Sequence, residues 1–257
     1  MSIDATARID SSARIDEGVS IGPWSIIGPN VTIGAGTRLE SNVIIRCNTR
    51  IGQNNHIFQF ASVGEDPADK KFADEETWLE IGDNNTLREG ANLHRGTGIG
   101  GGMTRIGNNN LLMPYTHVAH DCIVGNNTVF ANNTGISGHV EVGDWAILGG
   151  LTGVNQFLKI GAHAMVGGMT HITNDVPAYT IVSGIPAAVR SINVIGLERR
   201  GFDKETILRI REAFKIIFKR NNTLQEAIEQ IRALRKDCDA LQVLIDSLES
   251  SEKGIHR

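Results

Sequence analysis

A six-residue repeat runs through most of the chain and constrains its fold more than any other feature. An aliphatic residue recurs at every sixth position over residues 3–63, and the same phase resumes over residues 81–99. A second run, shifted by one residue, extends over residues 106–172. This period matches neither the 3.6-residue period of a helix nor the two-residue alternation of a strand. Hexapeptide repeats of this kind predict a parallel β-helix.

Short turns are expected between the strands of this β-helix. The segments IGQNN, IGDNN, IGNNN and VGNNT place Gly and Asn after the repeated aliphatic residue, and both residue types tolerate positive φ. Three hexads make one coil, so residues 18 apart in sequence stack in columns about 4.8 Å apart. Such coils bury small triangles of aliphatic side chains, which accounts for an aromatic content of only 5%.

Two segments leave the repeat, and the pattern changes near residue 189. Residues 64–80 form a charged excursion and residues 96–104 a Gly-rich one, and ordered long loops in compact repeats are often functional. Beyond Pro186, apolar residues fall at helical spacing and predict three helices, with Asp203 as an N-cap and a capping box at residues 223–226. We therefore divide the chain into a β-helix over residues 1–189 and a helical domain over residues 190–257.

Charge and cysteine usage suggest a setting and a partner. The net charge is −4, yet residues 190–220 carry an excess of five positive charges, which suggests an acidic partner or a phosphate. Cys47, Cys122 and Cys238 are odd in number and widely spaced, so we expect no disulfide framework and a reducing cytoplasm. No apolar run approaches the roughly 18 residues of a membrane span. We expect a cytoplasmic protein with no membrane span and no nucleic-acid partner.

The stacking rule brings a group of polar residues together. His120, Gly138 and Gln156 fall in one column, whereas Asp121, His139 and Phe157 fall in the next. The two columns span two coil spacings, roughly 10 Å, and lie outside the inward hexad positions. A histidine can act as a general base near pH 7, and a backbone N–H such as that of Gly138 can stabilise an oxyanion. The columns therefore predict a site for acyl transfer to a hydroxyl.

Two other interpretations of the histidines stay open at this point. His117, His120 and His139 could bind zinc, as in a γ-type carbonic anhydrase, which is also a β-helix with histidines at subunit interfaces. A β-helix without catalysis is the remaining alternative. The isolated residues His56, His163 and His256 are expected to be solvated surface side chains.

Five segments of the chain together resemble one family. They are THVAHDCIVGN, NLHRGT, GEDPADKKF, INVIGLERRGF and LIDSLESSEKGIHR, and the likeness covers essentially the whole sequence. The chain is similar to the UDP-N-acetylglucosamine acyltransferase family of lipid A biosynthesis. The resemblance implies a left-handed β-helix, a homotrimer with active sites between subunits, and no cofactor or metal. It also implies transfer of an R-3-hydroxyacyl group from acyl carrier protein to the 3-hydroxyl of UDP-N-acetylglucosamine.

The same resemblance assigns roles to individual residues. It makes His120 the general base, Asp121 its orienting partner and Gly138 the source of the oxyanion amide. The positions that match substrate-binding residues of the family are Asp69, Lys71, His94, His117, His139, Gln156, Asn193, Arg199 and Arg200. Of these, Asn193, Arg199 and Arg200 match residues near the uridine and the diphosphate. Gly168 matches the position that measures acyl-chain length, and a glycine there leaves room for a longer chain.

Three positions depart from the pattern of the family near the acceptor site. Ala68 stands where relatives have Gln, Asn155 where they have His, and Ile195 where they have an acidic residue. These departures leave a different acceptor open. It is either a UDP-sugar analogue with an amino group at position 3, which would give an amide instead of an ester, or another nucleotide sugar.

Overall fold

The computed structural model describes residues 2–235 and 238–257, and its larger part is a prism of three sheets. Sheet A contains β1 (Ser2–Ile3), β4 (Ser20–Ile21), β7 (Arg38–Leu39), β10 (His56–Ile57), β13 (Thr86–Leu87), β16 (Leu111–Leu112), β19 (Val129–Phe130), β22 (Ile147–Leu148), β25 (Met165–Val166), β27 (Thr180–Ser183) and β28 (Ala188–Ile192). Sheet B contains β2 (Arg8–Ile9), β5 (Ile26–Ile27), β8 (Ile44–Ile45), β11 (Ser62–Glu65), β14 (Asn92–His94), β17 (His117–Val118), β20 (Gly135–Ile136), β23 (Gly153–Val154) and β26 (His171–Ile172). Sheet C contains β3 (Arg14–Ile15), β6 (Thr32–Ile33), β9 (Thr49–Ile51), β12 (Trp78–Ile81), β15 (Met103–Ile106), β18 (Ile123–Val124), β21 (Glu141–Val142) and β24 (Lys159–Ile160).

The strand register follows the predicted 18-residue coil. Ile123 pairs with Glu141 and Glu141 with Lys159, all in parallel, and the strand pair β27–β28 is antiparallel. From Ile21 onward the repeated aliphatic side chains point inward and form one continuous buried core, against which Ile9 and Ile15 are partly buried. Ile99 is an exception, because the chain leaves the coil after β14 and exposes 82% of this residue. Counting Ile99 in the repeat was therefore wrong.

The prism has three corners, which we name A–B, B–C and C–A after the sheets that they join. Asn84, Asn109 and Asn127, from three of the predicted turn segments, adopt positive φ of 58°, 59° and 58°. Buried asparagines also link successive coils, since the side-chain oxygen of Asn55 accepts the Asn85 N–H and that of Asn85 accepts the Asn110 N–H. The Gly- and Asn-rich turns thus form as the sequence predicts.

Within the residues that the structure describes, four helices follow the prism. They are α1 (Val194–Arg199), α2 (Lys204–Lys219), α3 (Leu224–Leu234) and α4 (Asp239–Glu249). The predicted N-cap at Asp203 and the capping box of Thr223 and Glu226 are confirmed. The short helix α1 was not expected; its N-cap is Asn193, whose side chain accepts the Gly196 N–H. In the described residues we find no helix with the length and apolarity that crossing a bilayer requires.

The helices pack on the last coils through a second apolar cluster that includes Tyr179, Leu197, Ile210 and Leu244. The division of the chain at residue 189 stays a prediction. His256 was expected at the solvated surface, and this was wrong. It is buried against the last coil, where the N–H groups of Thr173 and Asn174 donate to its Nε2.

Candidate active site

Both excursions emerge at the B–C corner, where His120 lies. The first runs between β11 and β12, and the second between β14 and β15, so each connects sheet B to sheet C. They are tied to each other, because the Gly98 N–H donates to Glu75 at 3.0 Å. The buried guanidinium of Arg95 binds the Gly64 carbonyl and the Asp66 carboxylate. The two loops therefore form a fixed wall beside the corner.

His120 and Asp121 form a hydrogen-bonded pair at this corner. The distance from His120 Nδ1 to Asp121 Oδ2 is 2.8 Å. The Asp121 side chain is 1% exposed and that of His120 is 13% exposed. Because the carboxylate holds the proton on Nδ1, Nε2 of the neutral ring is an acceptor. This is the arrangement that a general base requires.

Asp121 is held in place by the second excursion. Its Oδ1 accepts the Thr97 N–H at 2.8 Å, and its Oδ2 accepts the Thr97 hydroxyl at 2.7 Å. The Asp121 N–H donates to Thr104 Oγ1 at 2.7 Å. Thr97 and Thr104 were not predicted from the sequence, although the Gly-rich excursion that contains them was. The carboxylate can turn neither toward solvent nor away from His120.

Gly138 lies on the coil next to His120 and is packed against its ring. A Cβ at residue 138 would lie 2.7 Å from His120 Nε2, so no other residue fits. Among the described residues, the Gly138 N–H has no hydrogen-bond acceptor. Pro23 and Pro29 occupy the same turn position on other coils, which shows that the coil does not require this N–H. The Gly138 N–H is therefore available to a ligand.

His139 and Phe157 continue the row of side chains along the corner. The His139 ring lies 5.3 Å from the His120 ring and stacks on Phe157 at 4.5 Å. Its Nε2 is 3.6 Å from Asp121 Oδ2. The predicted columns are confirmed in their stacking, because the His139 N–H donates to the His120 carbonyl and the Phe157 N–H to the Gly138 carbonyl.

His94 and His117 share one acceptor, the side-chain oxygen of Asn92. Both His94 Nε2 and His117 Nδ1 lie 2.8 Å from it. His94 Nδ1 accepts the Ala68 N–H at 3.2 Å, which ties the first excursion to the histidines. Since an amide oxygen only accepts, Asn92 selects the Nε2–H form of His94 and the Nδ1–H form of His117. His117 Nε2 is then left as an acceptor.

Burial keeps both of these histidines neutral. It lowers the pKa of His94 to about 4, with the charges of His117 and His120 as further causes. Burial and then the charge of His120 also lower the pKa of His117. Asn92 was not predicted from the sequence, since one Asn beside a repeat position resembles many others in this chain.

A cavity of about 420 Å³ joins these groups. It lies between His117, His120 and Gly138, includes Gln156, and runs along sheet B to His171. The departures at Ala68 and Asn155 both line it. The Asn155 side-chain oxygen is 2.8 Å from His171 Nε2. The cavity therefore brings the His120 imidazole and the Gly138 N–H to one mostly uncharged polar wall.

The structure separates the other predicted residues from this cavity. Asp69 and Lys71 lie on the first excursion, where Asp69 Oδ1 accepts the Lys71 N–H at 3.0 Å and Lys71 is exposed. Asn193 and Arg200 lie at the C–A corner, where Asn193 Nδ2 donates to the His163 carbonyl at 3.0 Å. Arg199 lies beside them on α1, and Gly168 lies at the A–B corner. A single chain does not assemble the complete predicted set.

Arg200 is held by aromatic groups at the C–A corner. Its guanidinium lies 3.2 Å from His163 Nδ1 and donates to the Trp145 carbonyl at 2.8 Å. His163 stacks between Trp145 and Tyr179. Burial, together with the charge of Arg200, lowers the pKa of His163 to about 4. The expectation of a solvated His163 was wrong, while His56 stays 34% exposed and contacts Glu40.

A larger cavity of about 840 Å³ lies between sheet A and the helices. Its floor is apolar and its rim is basic; the residues concerned are Ile147, Met165 and Ile181 on the floor and Arg190, Arg199, Arg211, Lys215 and Lys219 on the rim. The floor continues along sheet A through Leu111 and Val129. The basic stretch of the sequence thus surrounds an apolar channel.

The zinc interpretation needed His117, His120 and His139 at one ion. In the described residues, the groups that could hold a metal ion are His120, Asp121 and His139, whose ligand atoms lie within 4.8 Å of one another. His117 instead binds Asn92. Both oxygens of Asp121 already accept hydrogen bonds from Thr97 and His120. This arrangement favours proton transfer over metal binding.

Comparisons with known proteins agree with one another. A family profile described as "Udp N-acetylglucosamine O-acyltransferase; Domain 2" matches residues 175–256, and a hexapeptide-transferase profile matches residues 12–47 and 103–138. An acyl-(acyl carrier protein)–UDP-N-acetylglucosamine O-acyltransferase from a Psychrobacter species is 60% identical over 86% of this chain and 85% of its own length. That of Saccharophagus degradans is 55% identical over 85% of each chain.

Solved structures extend this likeness to the whole fold. LpxA from Acinetobacter baumannii has a TM-score of 0.97 and 55% identity over 99% of both chains. UDP-N-acetylglucosamine O-acyltransferase from Moraxella catarrhalis has a TM-score of 0.99 and 47% identity over 100% of both chains. The predicted fold, a left-handed parallel β-helix with a C-terminal helical domain, is confirmed.

Proposed function

The chain belongs to the acyl-(acyl carrier protein)–UDP-N-acetylglucosamine O-acyltransferase family, and from this premise we propose the reaction that it catalyses. It transfers an R-3-hydroxyacyl group from acyl carrier protein to the 3-hydroxyl of UDP-N-acetylglucosamine, the first step of lipid A biosynthesis. The pairing of His120 with the buried Asp121, directly against Gly138, is the observation that carries the proposal.

Each step of the transfer has a group to perform it. Nε2 of His120 removes the proton of the 3-hydroxyl as its oxygen attacks the thioester carbonyl. The carbonyl oxygen becomes negative in the tetrahedral intermediate and accepts the Gly138 N–H. The intermediate then expels the carrier thiolate, which takes the proton back from His120. Asp121 stabilises the imidazolium between these two proton transfers.

The remaining groups of the cavity bind the acceptor. Gln156 offers an amide and His117 an unprotonated Nε2 to the sugar. His94 holds Ala68 and thereby the first excursion, which carries Asp69 and Lys71. His139 contributes to the wall beside His120.

We place the acyl chain and its carrier on sheet A of a neighbouring subunit. The outward residues Leu111, Val129, Ile147 and Met165 form an apolar stripe that suits a hydrocarbon chain. Gly168, at the A–B corner after β25, has no side chain that could block the end of the acyl chain. The basic rim of the large cavity suits an acidic carrier protein, and Asn193, Arg199 and Arg200 of the same region approach the nucleotide.

A homotrimer brings these surfaces together. If sheet B of one subunit faces sheet A of the next, sheet C faces solvent and the A–B corner points to the threefold axis. Sheet C carries ion pairs such as Arg50 with Glu80 and Lys159 with Glu141, as expected of a solvent-facing sheet. We place the enzyme in the cytoplasm, since Cys47, Cys122 and Cys238 are free thiols.

A product assay tests the proposal. The full-length protein is incubated with 3-hydroxyacyl carrier proteins of different chain lengths and with UDP-N-acetylglucosamine or its 3-amino analogue, and products are identified by mass spectrometry. We expect the ester of UDP-N-acetylglucosamine, and a rate lower by orders of magnitude for His120→Ala. If only the amide of the 3-amino analogue formed, the acceptor would be that analogue and not UDP-N-acetylglucosamine. A near-normal rate for His120→Ala would show that His120 is not the general base.

A further inference from the structure

A second cavity at the B–C corner adjoins the one that holds His120. It has a volume of about 610 Å³ and shares Ser137, Asn155 and Gln156 with the catalytic cavity. Its other walls come from Phe157, Leu158, Thr173 and Lys253, which lies in the segment after α4. The two cavities therefore form one continuous surface along the corner.

Lys253 supplies the positive charge of this second cavity. Its Nζ lies 5.8 Å from the centre of the Phe157 ring. In the part of the chain that the structure describes, no carboxylate forms an ion pair with Lys253. The remaining lining groups are hydroxyls, amides and apolar side chains, without an acidic residue. The Lys253 ammonium, together with neutral hydroxyl and amide donors, can bind an anion.

The chain fixes Lys253 in this place through its C-terminal tail. Asn174 Nδ2 donates to the Lys253 carbonyl at 3.0 Å, and the Asp175 N–H donates to the Gly254 carbonyl at 2.9 Å. The His256 N–H donates to the Asp175 carbonyl at 2.9 Å. The Ser251 hydroxyl donates to the buried Asp175 carboxylate at 2.7 Å. The backbone on both sides of Lys253 is thus bound to the last coil.

The position of the cation relative to the base fits the shape of the acceptor. His120, His139 and Phe157 form a row, with ring separations of 5.3 and 4.5 Å, and Lys253 lies over the last ring. Phe157 is two coils from His120, roughly 10 Å. When the 3-hydroxyl of a hexose lies at His120, the phosphate on its anomeric carbon is two ring carbons away from the reacting position. The phosphate can then lie along this row of rings, toward Lys253.

We propose that this second cavity is a phosphate subsite for the nucleotide sugar, with Lys253 as the cation that binds the diphosphate. The inference rests on the proposed function and deepens it. Arg199 and Arg200, which were expected near the diphosphate, lie on α1 and at the C–A corner of the same chain. Lys253 belongs to the same chain as His120 and lines a cavity that shares Ser137, Asn155 and Gln156 with the cavity that holds His120.

Titration of the full-length protein with UDP and with uridine tests the subsite without any turnover. We expect Lys253→Gln to weaken UDP binding by about 10-fold or more, the effect of losing a hydrogen bond to a charged group, and to leave uridine binding unchanged. Lys253→Arg should restore most of the UDP affinity. Lys204→Gln, at an exposed lysine that lines neither cavity, is the matched control.

Kinetics separate this inference from its alternatives. Lys253→Gln should raise the KM for UDP-N-acetylglucosamine with little change in kcat or in the KM for the acyl carrier protein. Unchanged UDP affinity in Lys253→Gln overturns the subsite. A rise only in the KM for the acyl carrier protein also overturns it, because Lys253 would then bind the acidic carrier. Wild-type protein that binds UDP but acylates no UDP-N-acetylglucosamine would instead contradict the proposed function. Thr173→Val, in the same wall, provides a second variant should Lys253→Gln lose its fold.

Discussion

The imidazole of His120 lies directly on the α-carbon of Gly138, so that a Cβ there would fall 2.5 Å from its Cε1. Gly138→Ala should therefore displace His120 and block the oxyanion position, lowering kcat by at least about 100-fold. Gly153→Ala, whose Cβ would meet no atom within 4 Å, should lower it far less. Steady-state rates and melting temperatures of both variants check this, and equal losses would contradict the steric argument.

Asp121 should contribute to the catalytic rate by holding the proton on Nδ1 of His120. Asp121→Asn retains the shape of the side chain but presents an amide to Nδ1, and we expect kcat to fall roughly 100-fold or more. Thr97→Val removes one of the hydrogen bonds that hold the carboxylate and leaves its charge, so a smaller loss is expected. The two rates are compared at saturating substrate. A larger loss for Thr97→Val would make the loop, not the carboxylate, the main contributor.

Asn92 should control the protonation of His94 and His117. Asn92→Asp places a carboxylate against both rings and raises the pKa of each, so His117 gains a proton near neutral pH. We expect the acidic limb of the kcat/KM profile to move to higher pH, with activity recovering as pH rises. Asn92→Thr, which adds no charge, should not move that limb upward. Identical profiles for the two variants would contradict this role.

Acid should destabilise the protein because buried histidines must stay neutral. The folded-state pKa of His94 and of His163 is about 4, against 6.5 for an unperturbed histidine. Between pH 6.5 and 4 the unfolded chain binds more protons, so the free energy of unfolding decreases as pH falls through this window. Denaturant midpoints at pH 7 and 5 measure the decrease. His163→Gln should reduce it, and an unchanged pH dependence would argue against His163.

The A–B corner should hold the subunits together. An exposed apolar ridge runs along it, formed by Trp24, Phe60, Tyr115, Leu151 and Met169. Each is between 60% and 67% exposed and has positive φ, which costs an L-residue roughly 1–2 kcal/mol. Burial at a threefold axis would offset this cost. Leu151→Asp should yield monomers in light scattering, while Ile99→Asp, exposed elsewhere, should remain trimeric; a trimer for both would place the interface elsewhere.

Much of the fold follows from short-range rules that can be applied to sequence. The hexad period determines which side chains point inward, and the 18-residue coil determines which residues stack, so His120, Gly138 and Gln156 could be placed together by counting. The caps at Asp203 and Thr223 depend on neighbours three residues away and were equally accessible. In a repeat of fixed period, a known separation in sequence corresponds to a known separation in space. Folds without a repeat have no such rule.

Contacts made by the segments outside the repeat could not be counted in this way. The Thr97 N–H donates to Asp121, and the Ala68 N–H donates to His94. The C-terminal tail places Lys253 in the wall of the second cavity at the B–C corner. His163 and His256 were expected in solvent, yet aromatic stacking and the returning tail bury them.

The sequence by itself determined the prism, its register and the residues of the column that contains His120, because each depends on a period that local sterics impose. The tertiary structure alone decided how that column is completed. Loop and tail contacts depend on where the non-repeating segments return to the coil, as where the Thr97 N–H donates to Asp121 and the Ala68 N–H donates to His94.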